Sequence, residues 1–432
     1  MRLRRRLAAW LGTTPLAGKM GRDVIWNVGS VAVLSVVGLL FNILIGRFYG
    51  ASMLGVFNQV YAVYIILSQL SAGGLHYSVL KHASHEENQR EWSALVTTAA
   101  LATLLLGAIV AAIAYAIRSP LGSVLGSADV GISMTYVVMA LPFFALNKVL
   151  LALLNARRHM RAYALYQALR FILMLASLVA LIGLHKPGTM TPLLLTAGEI
   201  ALSLTLIPYV LRMVRPAPLS MWWRWLAIHL RFGSRALLSG VFTEVNTRID
   251  VLMLGLFASD SVVGVYSVAA FITEGLFQLP VILRTNLNPV LAKHYHTGQT
   301  DELLSLIARG VRTFYWILGI AFAAAMIAYP IVAILFMGGG EFIASWPAFC
   351  ILSTGIIASA GYLPYMMLLV QTGHPGAHTL LILATVFTNA TLNAILIPFF
   401  GLLGAALATG VTFFMSVIYL RHAVRRLTGL TI

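Results

Sequence analysis

Charged residues are scarce in this sequence. Only 10% of its 432 residues are Asp, Glu, Lys or Arg, whereas 60% are hydrophobic, and the mean hydropathy is +0.90. A water-soluble protein of this length needs far more charged surface than that. The composition therefore excludes a soluble globular protein and predicts a chain that crosses a membrane many times.

Residues that build cofactor sites and cross-links are also missing. Cys350 is the only cysteine, which excludes an intramolecular disulfide and a metal site made of cysteines. There is no G-x-x-x-x-G-K-[ST] loop for ATP and no H-E-x-x-H motif for zinc. His374 and His378 flank a Pro-Gly-Ala segment that breaks a helix, so we expect loop histidines there and not metal ligands. We expect no cofactor and no bound metal.

Twelve apolar stretches are long enough to cross a bilayer as helices, for which about 20 residues are needed. The longest predicted cytoplasmic loop between them runs from about 285 to 311, so we expect no extramembrane domain. The sequence thus predicts an all-α integral membrane fold of about 12 transmembrane helices. The stretches lie near residues 24–46, 54–75, 93–117, 132–154, 163–184, 192–211, 234–257, 262–284, 312–336, 346–370, 377–399 and 402–420.

Basic residues fall almost entirely on one side of this layout. If the N-terminus is cytoplasmic, 22 Lys and Arg residues lie in cytoplasmic segments and only Arg47, Arg118 and Lys186 lie outside. This asymmetry agrees with the positive-inside rule for an even number of spans with both termini in the cytoplasm. It also explains the net charge of +16 by topology, without nucleic-acid binding.

An internal repeat relates the two halves of the chain. A shift of 209 residues aligns GRFYGASMLGVF (46–57) with GLFASDSVVGVY (255–266), and eight of the 25 positions from Gly46 to Leu70 are then identical. Because the shift spans six helices, an even number, both halves have the same orientation in the membrane. This predicts two six-helix bundles related by a pseudo-two-fold axis along the membrane normal, with a central cavity between them.

The spans and loops divide the chain into five regions. Its first residues are basic and lack the apolar core of a signal peptide, so we expect them to be retained on the cytoplasmic side. The regions are a basic N-terminal segment (1–23), a first six-helix bundle (24–214), a cytoplasmic linker (215–232), a second six-helix bundle (233–420) and a basic cytoplasmic tail (421–432).

Besides Arg235 at its very start, the seventh predicted span carries three charges that hydrocarbon rejects. Glu244 and Arg248 are four residues apart on one face of a helix, in the order that favours an ion pair. Asp250 lies on nearly the opposite side from Arg248, so we expect it to find its partner on another helix, either Arg170 or Lys148. The polar sides of this span must therefore face protein or water.

Charges also occur in the neighbouring spans. A charge near the bilayer centre costs about 2.5–3.5 kcal/mol, so its first interpretation is functional. For Lys148 and Arg170 the alternative is a side chain that extends to the cytoplasmic boundary. Glu199 and Glu274 either titrate as part of proton coupling or neutralise an arginine, and the sequence does not separate these two roles.

Three segments resemble a known family. RIDVLMLGLFASDSVVGVYSVA (248–269) resembles the seventh-helix signature of the polysaccharide-transport flippases of the multidrug/oligosaccharidyl-lipid/polysaccharide exporter (MOP) superfamily. NATLNAILIPFFGLLGAALAT (389–409) is similar to the last two helices of that family, and GRFYGASMLGVF (46–57) to its turn between the first two. With the twelve-span layout, the resemblance covers essentially the whole chain. The positions that fall on the family motif are Asp250, Gly255, Gly264 and Tyr266.

The resemblance implies a MATE-like fold and a transporter, not an enzyme. It implies a multi-pass flippase of a bacterial inner membrane that moves undecaprenyl-diphosphate-linked oligosaccharide from the cytoplasmic to the periplasmic leaflet. The oligosaccharide would be a repeat unit of the O-antigen of lipopolysaccharide or of an exopolysaccharide. The expected partners are this substrate, membrane lipids and a downstream polymerase of the same pathway, and not nucleic acid.

The intramembrane charges support this function independently of the resemblance. A lipid diphosphate cannot cross hydrocarbon, so its flippase must offer the head group a cationic cavity, which arginines provide by charge-assisted bonds to phosphate. From their depth and charge we predict that Arg170, Arg248 and Lys148 bind the substrate. Without an ATP site, the driving force is an ion gradient or downstream consumption of the product. The residues that would couple to an ion or serve as charge partners are Asp250, Glu244, Glu274 and Glu199.

Three other functions make different demands on the sequence. A multidrug antiporter of the same superfamily needs an anionic cavity for cationic drugs, against which the intramembrane basic residues argue. A membrane-embedded glycan polymerase or ligase needs a substantial periplasmic loop with catalytic residues, whereas the longest external loop predicted here has about fourteen residues. A scaffold that transports nothing predicts that the buried charges are dispensable. The basic loop residue found in many flippases of the family is also missing from QTGHPGAH (371–378).

Overall fold

Helices make up almost the whole of the protein. The computed structural model describes residues 19–215, 218–337 and 340–432; residues 1–18, most of the predicted basic N-terminal segment, lie outside this description. Within the described residues the backbone forms helices and turns and no β-strand. The α-helices are α1 (Lys19–Ala72), α2 (Leu75–Ala83), α3 (Gln89–Ala116), α4 (Arg118–Val124), α5 (Ala128–Val137), α6 (Ala140–Ala156), α7 (Met160–Gly183), α8 (Leu193–Leu211), α9 (Leu219–Phe257), α10 (Asp260–His296), α11 (Thr300–Met337), α12 (Trp346–Ser359), α13 (Leu368–Gln371), α14 (Pro375–Phe400) and α15 (Leu402–Thr428).

The first helix supplies two of the predicted spans. α1 contains 54 residues and would be about 80 Å long if it were straight, whereas the hydrocarbon core is about 30 Å thick. The helix breaks at Gly50, whose backbone (φ 80°, ψ 175°) lies in a region that essentially only glycine occupies. The chain therefore crosses once before Gly50 and once after it.

One span would be missed by hydropathy alone. Nine of the described helices are long and apolar enough to cross a membrane, or ten if α5 and α6, which meet at a bend of 48°, form one span. α9 is not among them because Glu244, Arg248 and Asp250 lower its hydropathy. It nevertheless carries the predicted seventh span, and it packs against α1, α3 and α14 instead of standing alone in lipid. With the second crossing of α1, this gives the twelve predicted crossings of an all-α, multi-pass membrane protein.

The predicted cytoplasmic linker is largely the first part of α9 and not a loop. This part of the helix is anchored to the first half of the chain, which comprises α1 to α8. The indole N–H of Trp225 donates to Glu91 Oε2 at 2.8 Å, and Arg224 pairs with the same carboxylate. His229 is buried, with its Nδ1 2.9 Å from Ser78 Oγ. The second half, α9 to α15, is thus tied to the first before it enters the membrane.

The long loop predicted at 285–311 is not observed, because helices occupy most of these residues. α10 continues to His296 and α11 begins at Thr300, so only three residues separate the two helices. Hydropathy marks the part of a helix that hydrocarbon surrounds, whereas the backbone hydrogen bonds continue into water. Asp301 and Glu302 in the first turn of α11 stabilise its exposed N-terminus through the helix dipole.

A reciprocal backbone contact makes the internal repeat visible. Gly55 and Gly264 are equivalent under the shift of 209 residues. A Cβ on Gly55 would lie 1.8 Å from the carbonyl oxygen of Asp260, and a Cβ on Gly264 would lie 1.9 Å from the carbonyl oxygen of Ala51. Because Ala51 and Asp260 are equivalent under the same shift, this is one contact repeated by a two-fold operation. The predicted pseudo-two-fold relation between the halves is confirmed.

The halves touch at two levels. At the first, Asp260 accepts hydrogen bonds from Gln59 Nε2 at 2.7 Å and from Ser127 Oγ at 2.6 Å, beside the reciprocal glycine contact. At the second, a Cβ on Gly74 would lie 2.3 Å from the carbonyl oxygen of Gly233. Between these two levels the halves enclose a cavity, beside which Gln69 of the first half also hydrogen-bonds to Glu244 of the second.

The reciprocal contact predicts the effect of a single methyl group. In Gly264→Ala the new Cβ has no room beside the Ala51 carbonyl, so we expect a loss of about 1–3 kcal/mol of stability through overpacking. In the control Gly319→Ala the new Cβ meets nothing within 4 Å, and the change should be neutral or stabilising by up to about 1 kcal/mol. The measurement is the midpoint of thermal aggregation of the detergent-purified protein. Equal midpoints for the two variants would contradict the close contact.

Candidate functional site

The cavity between the halves has a volume of about 330 Å³. Apolar and aromatic side chains form most of its wall, and its charged lining residues are Arg170, Arg248 and Glu274. Asn42 and Asn58, which hydrogen-bond to each other at 3.2 Å, add neutral polar groups. Arg170 comes from the first half of the chain and the other two charges come from the second, so both halves contribute to one site.

Arg170 on α7 forms an ion pair with Glu199 on α8. Glu199 is completely buried, and its second carboxylate oxygen accepts a hydrogen bond from Asn147 Nδ2 at 2.8 Å. The guanidinium of Arg170 also lies over the ring of Phe144, 4.7 Å from its centroid. The side chain therefore faces the interior, and its extension to the cytoplasmic boundary does not occur. Of the two roles considered for Glu199, the geometry matches that of a counter-ion.

Arg248 on α9 pairs with Glu274 on α10, and not with Glu244 as expected. Two parallel N–H···O contacts join the groups, Nη1 to Oε1 at 3.0 Å and Nη2 to Oε2 at 3.1 Å. The prediction failed because helical spacing compares only neighbours on one helix, whereas a carboxylate on the adjacent helix can meet both arms of the guanidinium. The guanidinium also lies 5.2 Å from the ring centroid of Tyr61.

Glu244 belongs instead to a chain of hydrogen bonds that crosses between the halves. Lys148 Nζ donates to Gln69 Oε1 at 2.7 Å, and Gln69 Nε2 donates to Glu244 Oε1 at 3.1 Å. An amide thus separates the two opposite charges. Lys148 is not among the described residues that line the cavity. Of the three predicted substrate-binding cations, the structure brings Arg170 and Arg248 to the cavity and leaves Lys148 beside it.

Asp250 has neither of the partners considered for it. Its Oδ2 accepts a hydrogen bond from the hydroxyl of Tyr266 at 2.5 Å, and its Oδ1 accepts one from the backbone N–H of Val251 at 2.8 Å. Asp250 and Arg248 both find their partners on α10, and the described hydrogen bonds of Asp250 include none from Lys148 or Arg170. The sequence contained a signal for this pair: Asp250 and Tyr266 are each eight residues from Ala258, in the turn between α9 and α10.

The charges of the site nearly cancel. With all groups ionised, three cations face four carboxylates, so the region is not cationic as a whole. The lining of the cavity alone carries two positive charges and one negative charge. The charged groups are Lys148, Arg170 and Arg248, and Glu199, Glu244, Asp250 and Glu274.

Both cavity arginines keep an unused donor. The Nε atoms of Arg170 and Arg248 are buried and have no hydrogen-bond partner among the described residues. A buried donor without a partner costs about 1–3 kcal/mol, and more in a charged group. Such a cost is offset when a ligand supplies an acceptor, and an anionic oxygen is the acceptor that a guanidinium binds best.

The two ion pairs predict different costs for losing their arginines. Arg170→Ala leaves Glu199 charged, unpaired and fully buried, for which about 3–5 kcal/mol of stability is lost. Arg248→Ala leaves Glu274, whose side chain is 35% exposed, within reach of water. We expect a clearly lower thermal aggregation midpoint and membrane abundance for Arg170→Ala than for Arg248→Ala. The double variant Arg170→Ala/Glu199→Gln should recover much of the loss; a double variant no more stable than Arg170→Ala would contradict this account.

Comparisons with known proteins agree with this architecture. Over 173 residues, 37% of this chain, it is 25% identical to the probable flippase AglR of Haloferax volcanii, of whose length the match spans 34%. The lipid II flippase MurJ in an inward closed conformation superposes with a TM-score of 0.74 at 14% identity, over 93% of this chain and 87% of that one. An inward-facing multidrug resistance MATE transporter of the MOP superfamily superposes with a TM-score of 0.72 at 15% identity, over 91% of this chain and 95% of that one.

The last two comparisons establish the fold, which is MATE-like. The family assignment comes from the sequence: the model of the polysaccharide biosynthesis protein family matches residues 20–293, well over half of the chain. The match begins at the start of α1 and includes every charged residue of the site. The chain is therefore a member of the polysaccharide biosynthesis protein family.

Proposed function

We propose that this protein is a flippase for undecaprenyl-diphosphate-linked oligosaccharide, a repeat unit of O-antigen or exopolysaccharide. The observation that carries the proposal is the pair Arg170 and Arg248, one from each half, on the wall of a single cavity. The cavity walls are otherwise mostly apolar, so the two guanidiniums are the groups that would attract a diphosphate. The family to which the chain belongs supports a polysaccharide precursor as the substrate.

The head group and the lipid make opposite demands, and the fold suits both. Arginine binds phosphate with two parallel hydrogen bonds and keeps its charge at any physiological pH. The polyprenyl chain needs no protein site, because it remains in the hydrocarbon while the head group moves. A cavity of about 330 Å³ is near the lower limit for small-molecule sites, so the halves must separate further to admit an oligosaccharide.

Alternating access would carry the head group across the membrane. In a bacterial inner membrane with both termini cytoplasmic, the reciprocal contact of Gly55 and Gly264 lies toward the periplasm. The halves already touch at the level of Gly74 and Gly233, so opening the contact of Gly55 and Gly264 would expose the cavity to the periplasmic leaflet, and opening the other level would expose it to the cytoplasmic leaflet. The lipid-linked product then leaves the cavity, and a downstream polymerase consumes it.

The nearest alternative, a multidrug antiporter, requires a free anionic wall for a cationic drug. The carboxylate that lines the cavity, Glu274, is held by both arms of Arg248. Glu199 is fully buried behind Arg170. The geometry therefore favours an anionic ligand over a cationic one.

The proposal predicts where the substrate accumulates when Arg248 is lost. In cells that carry Arg248→Ala, we expect the lipid-linked oligosaccharide to collect in the cytoplasmic leaflet while the protein remains at normal abundance. The measurement is its leaflet distribution, determined by accessibility to an impermeant sugar-modifying reagent. Arg248→Lys, which keeps the charge but cannot form two parallel bonds, should fall between alanine and the unaltered protein.

A surface arginine provides the matched control. Arg224→Ala also breaks an ion pair with a glutamate, but it lies outside the cavity, so the leaflet distribution should not change. An unchanged distribution in Arg248→Ala at normal abundance would refute the proposal.

A further inference from the structure

Both cavity arginines already hold an anion. The carboxylate of Glu274 receives one N–H from each arm of Arg248, at 3.0 and 3.1 Å. A phosphate group binds arginine through the same two N–H groups. Glu274 therefore occupies the end of the guanidinium, Nη1 and Nη2, at which a phosphate of the substrate would bind Arg248 with two parallel hydrogen bonds.

The two resident carboxylates differ in how easily they could be displaced. Glu199 has no exposed surface and is held by Asn147 as well as by Arg170. Glu274 lines the cavity, its side chain is 35% exposed, and Arg248 is 19% exposed. A ligand in the cavity can thus reach Arg248 and displace Glu274, whereas Glu199 stays behind the wall.

The surroundings of Glu274 make its displaced form unfavourable as an anion. The charged and titratable groups that interact with it are Arg248, Asp250 and Glu244 from α9, Tyr61 from α1 and Tyr266 from its own helix. Once a diphosphate engages Arg248, the only cation in this set is already neutralised. The remaining groups and the ligand are then neutral or negative. A carboxylate in a low-dielectric site with no cation and with like charges nearby takes up a proton.

We propose that Glu274 is a resident counter-anion that the diphosphate head group replaces on Arg248, and that the displaced carboxylate takes up one proton from water. The inference rests on the proposed flippase function and adds to it the residue that links substrate binding to protons. The exchange conserves the charge on Arg248: the guanidinium keeps its proton throughout, and its partner changes from carboxylate to phosphate.

The exchange sets a threshold for ligands. A head group binds only if it interacts with Arg248 better than a carboxylate that already makes two parallel bonds. Neutral sugars cannot meet this requirement, and a diphosphate can, since it places several charged oxygens near both Arg248 and Arg170. Glu274 would thereby select for the anionic part of the substrate and leave the sugar unspecified.

The test is the pH dependence of binding to the full-length protein in lipid nanodiscs. The probe is undecaprenyl diphosphate without sugars, and its dissociation constant is measured between about pH 6 and pH 8. If one proton enters with the ligand, the dissociation constant of the unaltered protein should rise with pH more steeply than that of Glu274→Gln. The difference between the two slopes should be up to about tenfold per pH unit. The titration of the probe itself cancels in this comparison, because the probe is the same for each protein.

Two further variants separate this role from a structural one. Glu274→Asp keeps a carboxyl group and should retain a pH dependence close to that of the unaltered protein. Glu91→Gln removes the glutamate of an arginine pair outside the cavity and should retain it as well. Glu274→Gln should also bind the probe more tightly than the unaltered protein at the upper end of the pH range, because no anion competes for Arg248.

Either of two results would overturn the inference. One is the same pH dependence in Glu274→Gln as in the unaltered protein, and the other is a Glu274→Gln variant that binds the probe no more tightly than the unaltered protein at the upper end of the pH range. Neither result would affect the flippase assignment, which the leaflet distribution of Arg248→Ala tests separately. If that distribution is unchanged, the proposed function itself has failed.

Discussion

Hydrocarbon does not solvate charge, and the arrangement of the helices around the cavity follows from that constraint. Each of the seven charged side chains of the site meets a partner on another helix or on its own backbone. Arg170 meets Glu199, Arg248 meets Glu274, and Asp250 meets a tyrosine hydroxyl and a backbone N–H. Breaking a buried pair leaves an uncompensated charge that costs several kcal/mol. These pairs therefore constrain the rotation of α7, α9 and α10 about their own axes.

The pseudo-two-fold operation applies to the backbone but not to the charges. Gly55 and Gly264 repeat the same contact, yet the positions equivalent to Arg248, Asp250 and Glu274 in the first half are Leu39, Phe41 and Ile65. Phe41 and Ile65 line the cavity as part of its apolar wall. Repetition of the backbone gives two bodies that can rotate against each other, whereas the unrepeated charges give the cavity one polar side. A head group with a charged end and a lipid end matches such an uneven cavity better than a symmetric one.

The sequence was sufficient for the fold and for the choice of Arg170 and Arg248 as residues that line the cavity, but not for the partners of the charges. Apolar length and the distribution of Lys and Arg in loops predicted the spans, because both follow from transfer out of water. The predicted ion pair between Glu244 and Arg248 was wrong. Spacing along one helix gives no information about Glu274, the carboxylate on the next helix that Arg248 binds instead. The contact between Asp250 and Tyr266 could have been predicted. Two helices joined by a tight turn run side by side, so residues equally far from the turn become neighbours. The sequence did not indicate that Gln69 links two charged groups. Its amide can be assigned that role only when Lys148 and Glu244 are known to lie on either side of it.

Where the strong and weak interactions lie has a consequence for movement. Within the predicted spans, the described ion pairs join helices of the same half: α7 with α8, and α9 with α10. The described hydrogen bonds between the halves, at the cavity and beside the contact of Gly55 and Gly264, each join a neutral donor to a carboxylate. Gln69 donates to Glu244, and Gln59 and Ser127 donate to Asp260. A hydrogen bond between a neutral and a charged group contributes about 1.5–3 kcal/mol, less than breaking a buried ion pair costs. Each half would therefore keep its ion pairs while the contacts between the halves exchange, which is the division of strength that the proposed alternating access requires.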